Sequence, residues 1–461
     1  YSYQGYLDPP APWTFVFQVR AGGTHRIFRQ ASYERARRAV LSLAFSPAVA
    51  GFTLEPPHAY TPQRDFYHAH VEDRFSPWAF VRDDLMYLLW GRLGYDPTTP
   101  EATFRKIAAR ELGTDALWPA LQAASDIVPW IQTQHTCGAD SRDFAPELEL
   151  GGDVSQWVGD PTKPFANCRV NGPFDTFAVA SPFEAAADLV EGRATARVSP
   201  VDVAAMVLDD AAAVDEALDA AAIDTGAATP LVRDVVRESR ALAALGRYFG
   251  HKLRGATALA VYAGAGVPDW LTAARTETSS ADDAWRTLAA DTAYIRAFPE
   301  HLRMLPLGFE PFHWSAEVPA LDADGKALDA IAADVAASPP PFSAVLPDPD
   351  AWLGAPRGPG PALAALTATP AADGTGAWTV SARFAAPLPD GAKVNVLAKS
   401  FQSESDFSAV GATQAADGTW SATVPGALAA GGLFALELRT PAGAWRYPDP
   451  LTTAPYVSVA P

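Results

Sequence analysis

The sequence predicts a multidomain chain of the α/β, all-α and all-β classes. The N-terminal part is predicted to form the last two β/α units of a (β/α)8 barrel. A mainly helical domain and a small antiparallel β-sandwich follow it in the chain. Strand, turn, helix and strand succeed one another over residues 13–57, apolar residues follow a helical period over 77–314, and a period of two begins after 363. We place the domains at 1–76, 77–314 and 363–461, with a Pro- and Ala-rich linker at 315–362.

The order of elements identifies the two β/α units. A strand at Trp13–Arg20 precedes a helix over about 32–45, and a second strand at Ala50–Glu55 stops at Pro56. Two strands joined through a helix are typical of a parallel sheet. Since no later segment offers another parallel strand, we expect the first six strands of the barrel to lie elsewhere.

The middle of the chain has the 3.6-residue period of packed helices. Helices are predicted at about 77–95, 100–112, 115–134, 201–222, 231–263 and 281–298. Ser199-Pro200 and Thr229-Pro230 are helix-start signals, because a hydroxyl caps the first turn and proline suits its first position. The long stretch 135–180 is expected to be a loop, and loops of this length usually carry function.

Alternating residues after the linker predict the sandwich. The predicted strands are 377–384, 393–398, 419–424 and 433–438. Short glycine-containing turns separate them, which is typical of antiparallel sheets.

Composition excludes two classes of partner. The formal net charge is −18 over 461 residues, which disfavours binding to a phosphate backbone, so we expect no nucleic acid. No apolar run reaches the roughly 18 residues of a membrane span, so we expect no membrane. The chain begins with Tyr1, which predicts a cleaved precursor that is secreted or periplasmic. Cys137 and Cys168 form either a disulfide or two free thiols.

Several stretches resemble α-glucuronidase-type glycoside hydrolases among secreted bacterial carbohydrate-active enzymes. The matching stretches are Gly22–Arg26, Gly51–Pro56, Leu89–Pro97, Ser199–Ala204 and Arg247–Ala256. The resemblance implies a (β/α)8 barrel followed by a helical domain, and a carbohydrate substrate. Together with the absent strands it implies a precursor cut inside the barrel, whose two pieces remain a heterodimer. It assigns no catalytic residue, because the family's catalytic acids need not lie on the last two strands.

Polar residues gather where the two predicted strands end, which is the end of a barrel that carries active sites. Glu55 is the first catalytic candidate, as general acid, general base or acceptor from a sugar hydroxyl. A structural ion pair with Arg20 or Arg26 is the alternative. His25 is the second candidate, because imidazole exchanges protons near neutral pH.

Further residues near the strand ends and in the long loop are candidates for substrate binding. They are Gln18, Arg20, Arg26, His58, Tyr60, His135 and Arg142. Arg26 has the geometry to hold a uronate carboxylate through two hydrogen bonds. Structural roles remain the alternative for each of them.

The pattern His68-x-His70-x-Glu72 places three metal-binding residue types on one face of an extended segment. Its spacing differs from that of helical zinc motifs, so we expect no metal and no cofactor.

Basic residues recur along one face of the longest predicted helix. They are Arg233, Arg237, Arg240, Arg247, His251 and Arg254. Two interpretations stay open: the stripe contacts an acidic glycan or a partner, or it forms ion pairs with neighbouring helices.

These residues favour a secreted glycoside hydrolase, or the C-terminal chain of a processed one, acting on a glycan that contains uronic acid. A carboxylate pair would perform the chemistry. A polysaccharide lyase is the first alternative, because Arg26, His25 and Tyr60 are the residue types that a lyase uses. A non-catalytic glycan-binding or scaffolding subunit is the second.

Overall fold

The computed structural model describes residues 14–20, 27–43, 49–55, 68–134, 146–159, 173, 175–299, 311–371, 376–400, 407–425, 432–452 and 456–459. The first elements are β1 (Phe15–Arg20), α1 (Tyr33–Leu43) and β2 (Val49–Glu55). The middle part contains α2 (Asp84–Tyr95), α3 (Glu101–Leu112), α4 (Trp118–Gln134), α5 (Pro182–Val190), α6 (Pro200–Ala221), α7 (Pro230–Ala265), α8 (Pro268–Asp291), β3 (Phe298–Pro299), β4 (Pro311–Phe312), α9 (Trp314–Glu317), α10 (Asp322–Ala337) and α11 (Pro349–Leu353). The last part contains β5 (Leu363–Pro370), β6 (Trp378–Phe384), β7 (Lys393–Ser400), β8 (Ser408–Gly411), β9 (Thr413–Gln414), β10 (Trp420–Val424), β11 (Gly432–Thr440), β12 (Gly443–Tyr447) and β13 (Val457–Val459).

Strands β1 and β2 are parallel, as their order predicted, and α1 lies between them in the chain. The register pairs Gln18 with Thr53 and Arg20 with Glu55, so both strands end at the same level. Among the described residues this sheet has these two strands. Completion of the barrel by further strands therefore stays a prediction.

One face of the strand pair packs on helices. Phe52 and Leu54 contact a buried core that includes Leu89 of α2. The ring of Phe52 meets the edge of Trp90, with centroids 5.8 Å apart. A Cβ at Gly94 would lie 2.8 Å from Cζ of Phe52, so the close approach of α2 to β2 depends on this glycine.

A bundle around the 36-residue helix α7 forms the middle of the chain. Helix α7 packs against α4, α5, α6 and α8. Its side chains Leu242, Leu245, Phe249 and Leu253 are buried, at the spacing that predicted a packed helix. None of the described helices is both long and apolar enough to span a membrane.

Helix starts follow the sequence signals in part. Ser199 and Thr229 each accept a hydrogen bond from the third backbone N–H of the following helix, as predicted for α6 and α7. Helix α8 begins earlier than the predicted 281, at Pro268. Its first turns bury Trp270, Ala273 and Ala274, and alanine gives only a weak periodic signal.

Gly250 sets the distance between α7 and α6. A Cβ there would lie 2.7 Å from Cγ and 2.9 Å from Cδ2 of Leu208. Alanine normally stabilises a helix interior by about 1 kcal/mol relative to glycine, but overpacking costs about 1–3 kcal/mol. We expect Gly250→Ala to lower the free energy of unfolding, measured in urea. Gly325→Ala in α10, where a Cβ meets nothing within 4 Å, is the matched control. Equal effects of the two substitutions would contradict this prediction.

Helices α10 and α11 occupy much of the segment 315–362, which the sequence predicted to be a linker. Leu321, Leu328 and Leu353 are buried in the core of the helical bundle. Alanines supply most of the small apolar surface of α10, so the helical period is faint in the sequence. The segment therefore belongs to the packed bundle over these residues.

A buried ion pair fastens α10 to α7. The Nζ atom of Lys252 lies 3.2 Å from Oδ2 of Asp324 and donates to the carbonyl of Gly152 (2.6 Å) and the hydroxyl of Tyr248 (2.7 Å). Oδ1 of Asp324 accepts from the backbone N–H of Val154 at 2.6 Å. Burial lowers the pKa of Lys252, and the neighbouring Asp324 opposes that shift. Helices α7 and α10 and the described segment 146–159 are thus held together.

The last part of the chain forms two antiparallel sheets. One has the order β5-β6-β10-β9, and the other has β12-β11-β7-β8 with β13 paired to β11. Val380, Phe384, Val396, Phe434 and Leu436 belong to one core that both sheets share. Period-two alternation predicted β6, β7, β10 and β11. It missed the other strands, several of which are short or largely exposed.

Candidate active site

The carboxyl ends of β1 and β2 lie side by side. Arg20 is the register partner of Glu55, one pair beyond Val19 and Leu54. The side chains of Gln18 and Thr53 are exposed, and strand alternation gives them the face opposite to Phe52 and the helices. In a closed barrel this face would line the interior.

The described residues that follow the two strands are held against the bundle. The carboxylate of Glu147 accepts from the backbone N–H groups of Ile27 (3.2 Å) and Phe28 (2.8 Å). His68 forms a β-bridge with Ile295.

A buried aspartate joins the residues that follow both strands. Asp234 of α7 accepts from Nη2 of Arg29 at 2.6 Å, and its other oxygen lies 2.9 Å from Nε2 of His68. All three side chains are at most 10% exposed. Arg29 follows β1 and His68 follows β2 in the chain, so one helix position holds a residue that comes after each strand.

Glu238 extends this cluster by one helical turn. It accepts from the backbone N–H of Arg29 at 2.9 Å and forms an ion pair with Arg82. Nη2 of Arg82 also donates to the carbonyl of Ile27 at 2.6 Å. Arg29, His68, Arg82, Asp234 and Glu238 are called the buried ion cluster below.

The buried ion cluster keeps Asp234 ionised. Burial alone would raise the pKa of this carboxyl, but the hydrogen bond from His68 and the charges of Arg29 and Arg82 hold the pKa well below its usual range. A buried charge that is paired and hydrogen-bonded in this way supports structure. We therefore assign the cluster the role of positioning the residues after the strand ends.

A pocket of about 310 Å³ opens beside the cluster, at the lower end of the size range of ligand sites. Arg29, Gln30, Phe75, Asp84 and Glu111 are among the residues that line it. Burial raises the pKa of Asp84 and of Glu111, and the charge of Asp84 raises that of Glu111 further. Buried Oε1 of Gln30 accepts no hydrogen bond within the described structure. The pocket thus offers acceptors to a small ligand that carries hydroxyl groups.

A second carboxylate pair lies between α4 and α6. Arg35 of α1 forms an ion pair with Asp126 at 3.1 Å. The charge of Asp126 raises the pKa of Asp210, and the charge of Arg35 lowers it. Burial, followed by the charge of Asp126, raises the pKa of Asp210 to about 7, against an ordinary value of 3.8. Asp210 is therefore protonated in the folded protein under mildly acidic conditions.

The raised pKa of Asp210 predicts a stability change with pH. Above pH 4 this carboxyl ionises in the unfolded chain but stays protonated in the folded protein. The free energy of unfolding therefore decreases as pH rises from about 4 to 7. We expect Asp210→Asn to remove this loss, raising stability at pH 8 by about 2–3 kcal/mol. Urea unfolding at pH 4.5, 6 and 8 measures the effect. An unchanged pH dependence in the variant would contradict the assignment, and the exposed Asp209→Asn serves as control.

Only some of the predicted site residues lie among the described residues. The side chain of Gln18 is exposed, and the backbones of Arg20 and Glu55 pair at the strand ends. The other predicted site residues lie outside the described residues: His25, Arg26, His58, Tyr60, His135 and Arg142. Their functional roles stay predictions.

Two patterns in the sequence have structural explanations. His68 belongs to the buried ion cluster, whereas His70 and Glu72 are exposed, so these three residues do not converge on one point. Most of the basic stripe of α7 pairs with neighbouring carboxylates, as the second interpretation predicted. The ion pairs are Arg233 and Arg237 with Asp73, Arg247 with Asp215, and Arg254 with Glu277, and Nδ1 of His251 lies 2.7 Å from Oε2 of Glu277.

Sequence reasoning missed the buried ion cluster, although one signal was present. Asp234 and Glu238 are four residues apart on α7, and Glu238 shares a helix face with the buried Leu242 and Leu245. Acidic residues at core positions of a helix need buried cationic partners. Which arginines those are depends on contacts between residues more than 150 positions apart.

Comparison with known proteins gives a similar fold. The structure resembles the solved structure of a GH138 enzyme targeting pectin rhamnogalacturonan II, with a TM-score of 0.56 and 15% sequence identity. The match covers 70% of this chain and 48% of the other, so this chain spans about half the length of the solved structure. No family model matches this chain, and the comparison with curated proteins gives no match. At this identity the likeness shows a shared fold alone, and it lends no support to an α-glucuronidase-type assignment.

Proposed function

We propose that this chain is part of a glycoside hydrolase acting on a polysaccharide or oligosaccharide that contains uronic acid. The observation that carries the proposal is the parallel β1–β2 pair, which brings Arg20 and Glu55 together at the carboxyl ends of the strands. The shared fold with an enzyme that targets pectin rhamnogalacturonan II supports it and makes pectin-derived glycans the first substrates to test.

Glu55 is the proposed carboxylate of this chain in the reaction. In glycoside hydrolysis one carboxylic acid protonates the leaving glycosidic oxygen, and a second carboxylate either activates water or attacks the anomeric carbon. The strand ends of the other barrel units would provide the second carboxylate. The buried ion cluster holds Arg29 and His68, which come after β1 and β2 in the chain, against α7.

Recognition of an acidic sugar is assigned to the arginines. Arg20 lies at the strand end, and Arg26 and Arg142 carry the planar guanidinium group that binds a carboxylate through two hydrogen bonds. Gln18, His25, His58, Tyr60 and His135 would contact sugar hydroxyls or faces. Because a polysaccharide is too large to enter a cell before it is cut, we also propose that the protein is secreted or periplasmic.

Product analysis tests the reaction type. The assembled protein is incubated with pectin-derived oligosaccharides, and the products are followed by reducing-end release, mass and ultraviolet absorbance. A hydrolase adds water, so new reducing ends appear without new ultraviolet absorbance. An unsaturated, absorbing product would establish a lyase instead. Retention of intact oligosaccharide without cleavage would favour a glycan-binding subunit.

A further inference from the structure

The pocket of about 310 Å³ lies among four helices of the middle part of the chain. Helices α2, α3, α4 and α7 each contribute apolar side chains to its walls, among them Leu85, Leu112, Leu121 and Val235. No residue of β1 or β2 is among the described residues that line it. The groups at the strand ends therefore do not take part in whatever the pocket binds.

One buried side chain of the pocket lacks a hydrogen-bond partner. Gln30 is 8% exposed, and its buried Oε1 accepts no hydrogen bond within the described structure. Buried acceptors in folded proteins nearly always have a partner, and an unsatisfied one calls for a water, an ion or a ligand. Because Gln30 lines the pocket, a donor group in the pocket is the partner that fits this oxygen.

Two carboxylates add further acceptors to the pocket. Asp84 and Glu111 are exposed, and neither forms an ion pair with another described residue. Partial burial, followed by the charge of Asp84, raises the pKa of Glu111, so the two carboxylates lie near each other. A carboxylate accepts from a hydroxyl group more strongly than a neutral acceptor does. The pocket thus combines three acceptors with apolar walls.

The cationic side chains at the pocket are already paired. Arg29 and Arg82 line it, but their guanidinium groups form ion pairs with Asp234 and Glu238 of the buried ion cluster. An anionic ligand would meet the two carboxylates of the pocket with no unpaired cation among the described lining residues to balance them. Like charges placed together in this way reject a ligand.

We propose that this pocket binds one neutral sugar unit and rejects the corresponding uronate. A sugar ring carries C–H groups on its faces and hydroxyl groups around its edge. The C–H groups suit the apolar walls, and the hydroxyl groups donate to Gln30, Asp84 and Glu111. The proposal goes beyond the proposed function, because it concerns binding at the helices and requires no reaction at the strand ends.

Saturation-transfer NMR on the full chain tests the pocket with matched monosaccharides. The neutral probes are galactose, glucose, mannose, fucose and rhamnose, and the acidic competitors are galacturonate and glucuronate. We expect saturation transfer to at least one neutral sugar, and we expect that its uronate counterpart does not displace it. Monosaccharides contain no bond for a glycosidase to cut, so this result is independent of the reaction proposed for Glu55.

Three outcomes of this experiment would overturn the proposal. Absence of saturation transfer to every neutral probe would show that the pocket holds no sugar. Displacement of the neutral sugar by its uronate at equal concentration would show that the two carboxylates do not reject an anion. Binding of ethylammonium in place of all neutral sugars would identify a cation site.

A substitution of Gln30 assigns the signal to the pocket. We expect Gln30→Leu to weaken binding of the neutral sugar at least tenfold, because the buried acceptor is lost. Its thermal unfolding temperature should equal or exceed that of the wild type, since the variant also removes an unsatisfied buried group. Wild-type affinity in this variant would overturn the proposal, and so would a lowered unfolding temperature, which indicates a structural partner of Gln30.

Glu111→Gln gives a second readout at an exposed position, where the fold does not depend on the side chain. We expect a uronate to compete with the neutral sugar at least threefold better in this variant, because one repelling charge is removed. Glu216→Gln is the matched control, since Glu216 is exposed on α6 and does not line the pocket. An equal preference for the neutral sugar in both variants would overturn the proposal, even if Gln30→Leu fails to fold.

Discussion

Replacing Glu55 with glutamine is expected to lower kcat by about 10²–10⁴-fold, because glutamine neither donates nor accepts the proton in glycosidic bond cleavage. Glu55 ends β2 beside Arg20, at the level where barrel enzymes place their catalytic groups. The assay uses the assembled protein with the pectin-derived oligosaccharide that it cleaves best. Initial rates over a range of substrate concentrations separate kcat from KM.

The control for Glu55→Gln is Glu72→Gln, at an exposed position beyond the site. We expect wild-type kinetics from this control and the same thermal unfolding from both variants. A raised KM with unchanged kcat would assign Glu55 to substrate binding. Unchanged values of both would contradict any role for Glu55 in the reaction and would leave a structural carboxylate, the alternative that the sequence had kept open.

Replacing Asp234 with asparagine is expected to lower the free energy of unfolding by about 3–5 kcal/mol, because Arg29 would lose its closest buried counter-charge. The change removes the acceptor charge that joins the residues following both strands. Hydrogen exchange of peptides covering 27–32 and 230–240 should rise together. Urea unfolding at pH 7 gives the magnitude.

Asp283→Asn is the matched control, since Asp283 pairs with Arg286 at 3.1 Å and its side chain is 78% exposed. An exposed pair contributes about 0–1 kcal/mol. Losses of equal size in the two variants would contradict the special role of Asp234. The pKa of Asp234 is lowered in the folded protein, so its contribution is complete above the ordinary pKa near 4. It declines as pH falls further, and the asparagine variant should lack that part of the acid dependence.

Local sequence patterns were sufficient to predict the elements that depend on interactions between residues close together in the chain. Alternation of strand and helix predicted the parallel β1–β2 pair, and capping hydroxyls at Ser199 and Thr229 predicted the starts of α6 and α7. These signals can be recognised in the sequence because a capping hydrogen bond or a strand period involves residues only a few positions apart. Alanine-rich helices such as α10 escaped detection, since alanine contributes little to a hydrophobic period.

The residues of the candidate site also fall into two groups: those that the sequence could place and those that only the fold brings together. The sequence placed Glu55, Arg20 and Gln18 in the last residues of two strands, and the structure confirms that placement, while their roles in a site stay predictions. Asp234 was not assigned, because its partners Arg29 and His68 are distant in the chain and only the fold brings them together.

The sequence by itself determined the order of elements, the parallel direction of the first two strands and the level at which Arg20 and Glu55 meet. Only the tertiary structure decided which buried partners hold Arg29 and His68, the described residues that come after those strands. The physical reason is the range of the interactions. Propensity, capping and strand period act between near neighbours, whereas burial and ion pairing select partners by distance in space. The role of Asp234 depends on that second kind of interaction.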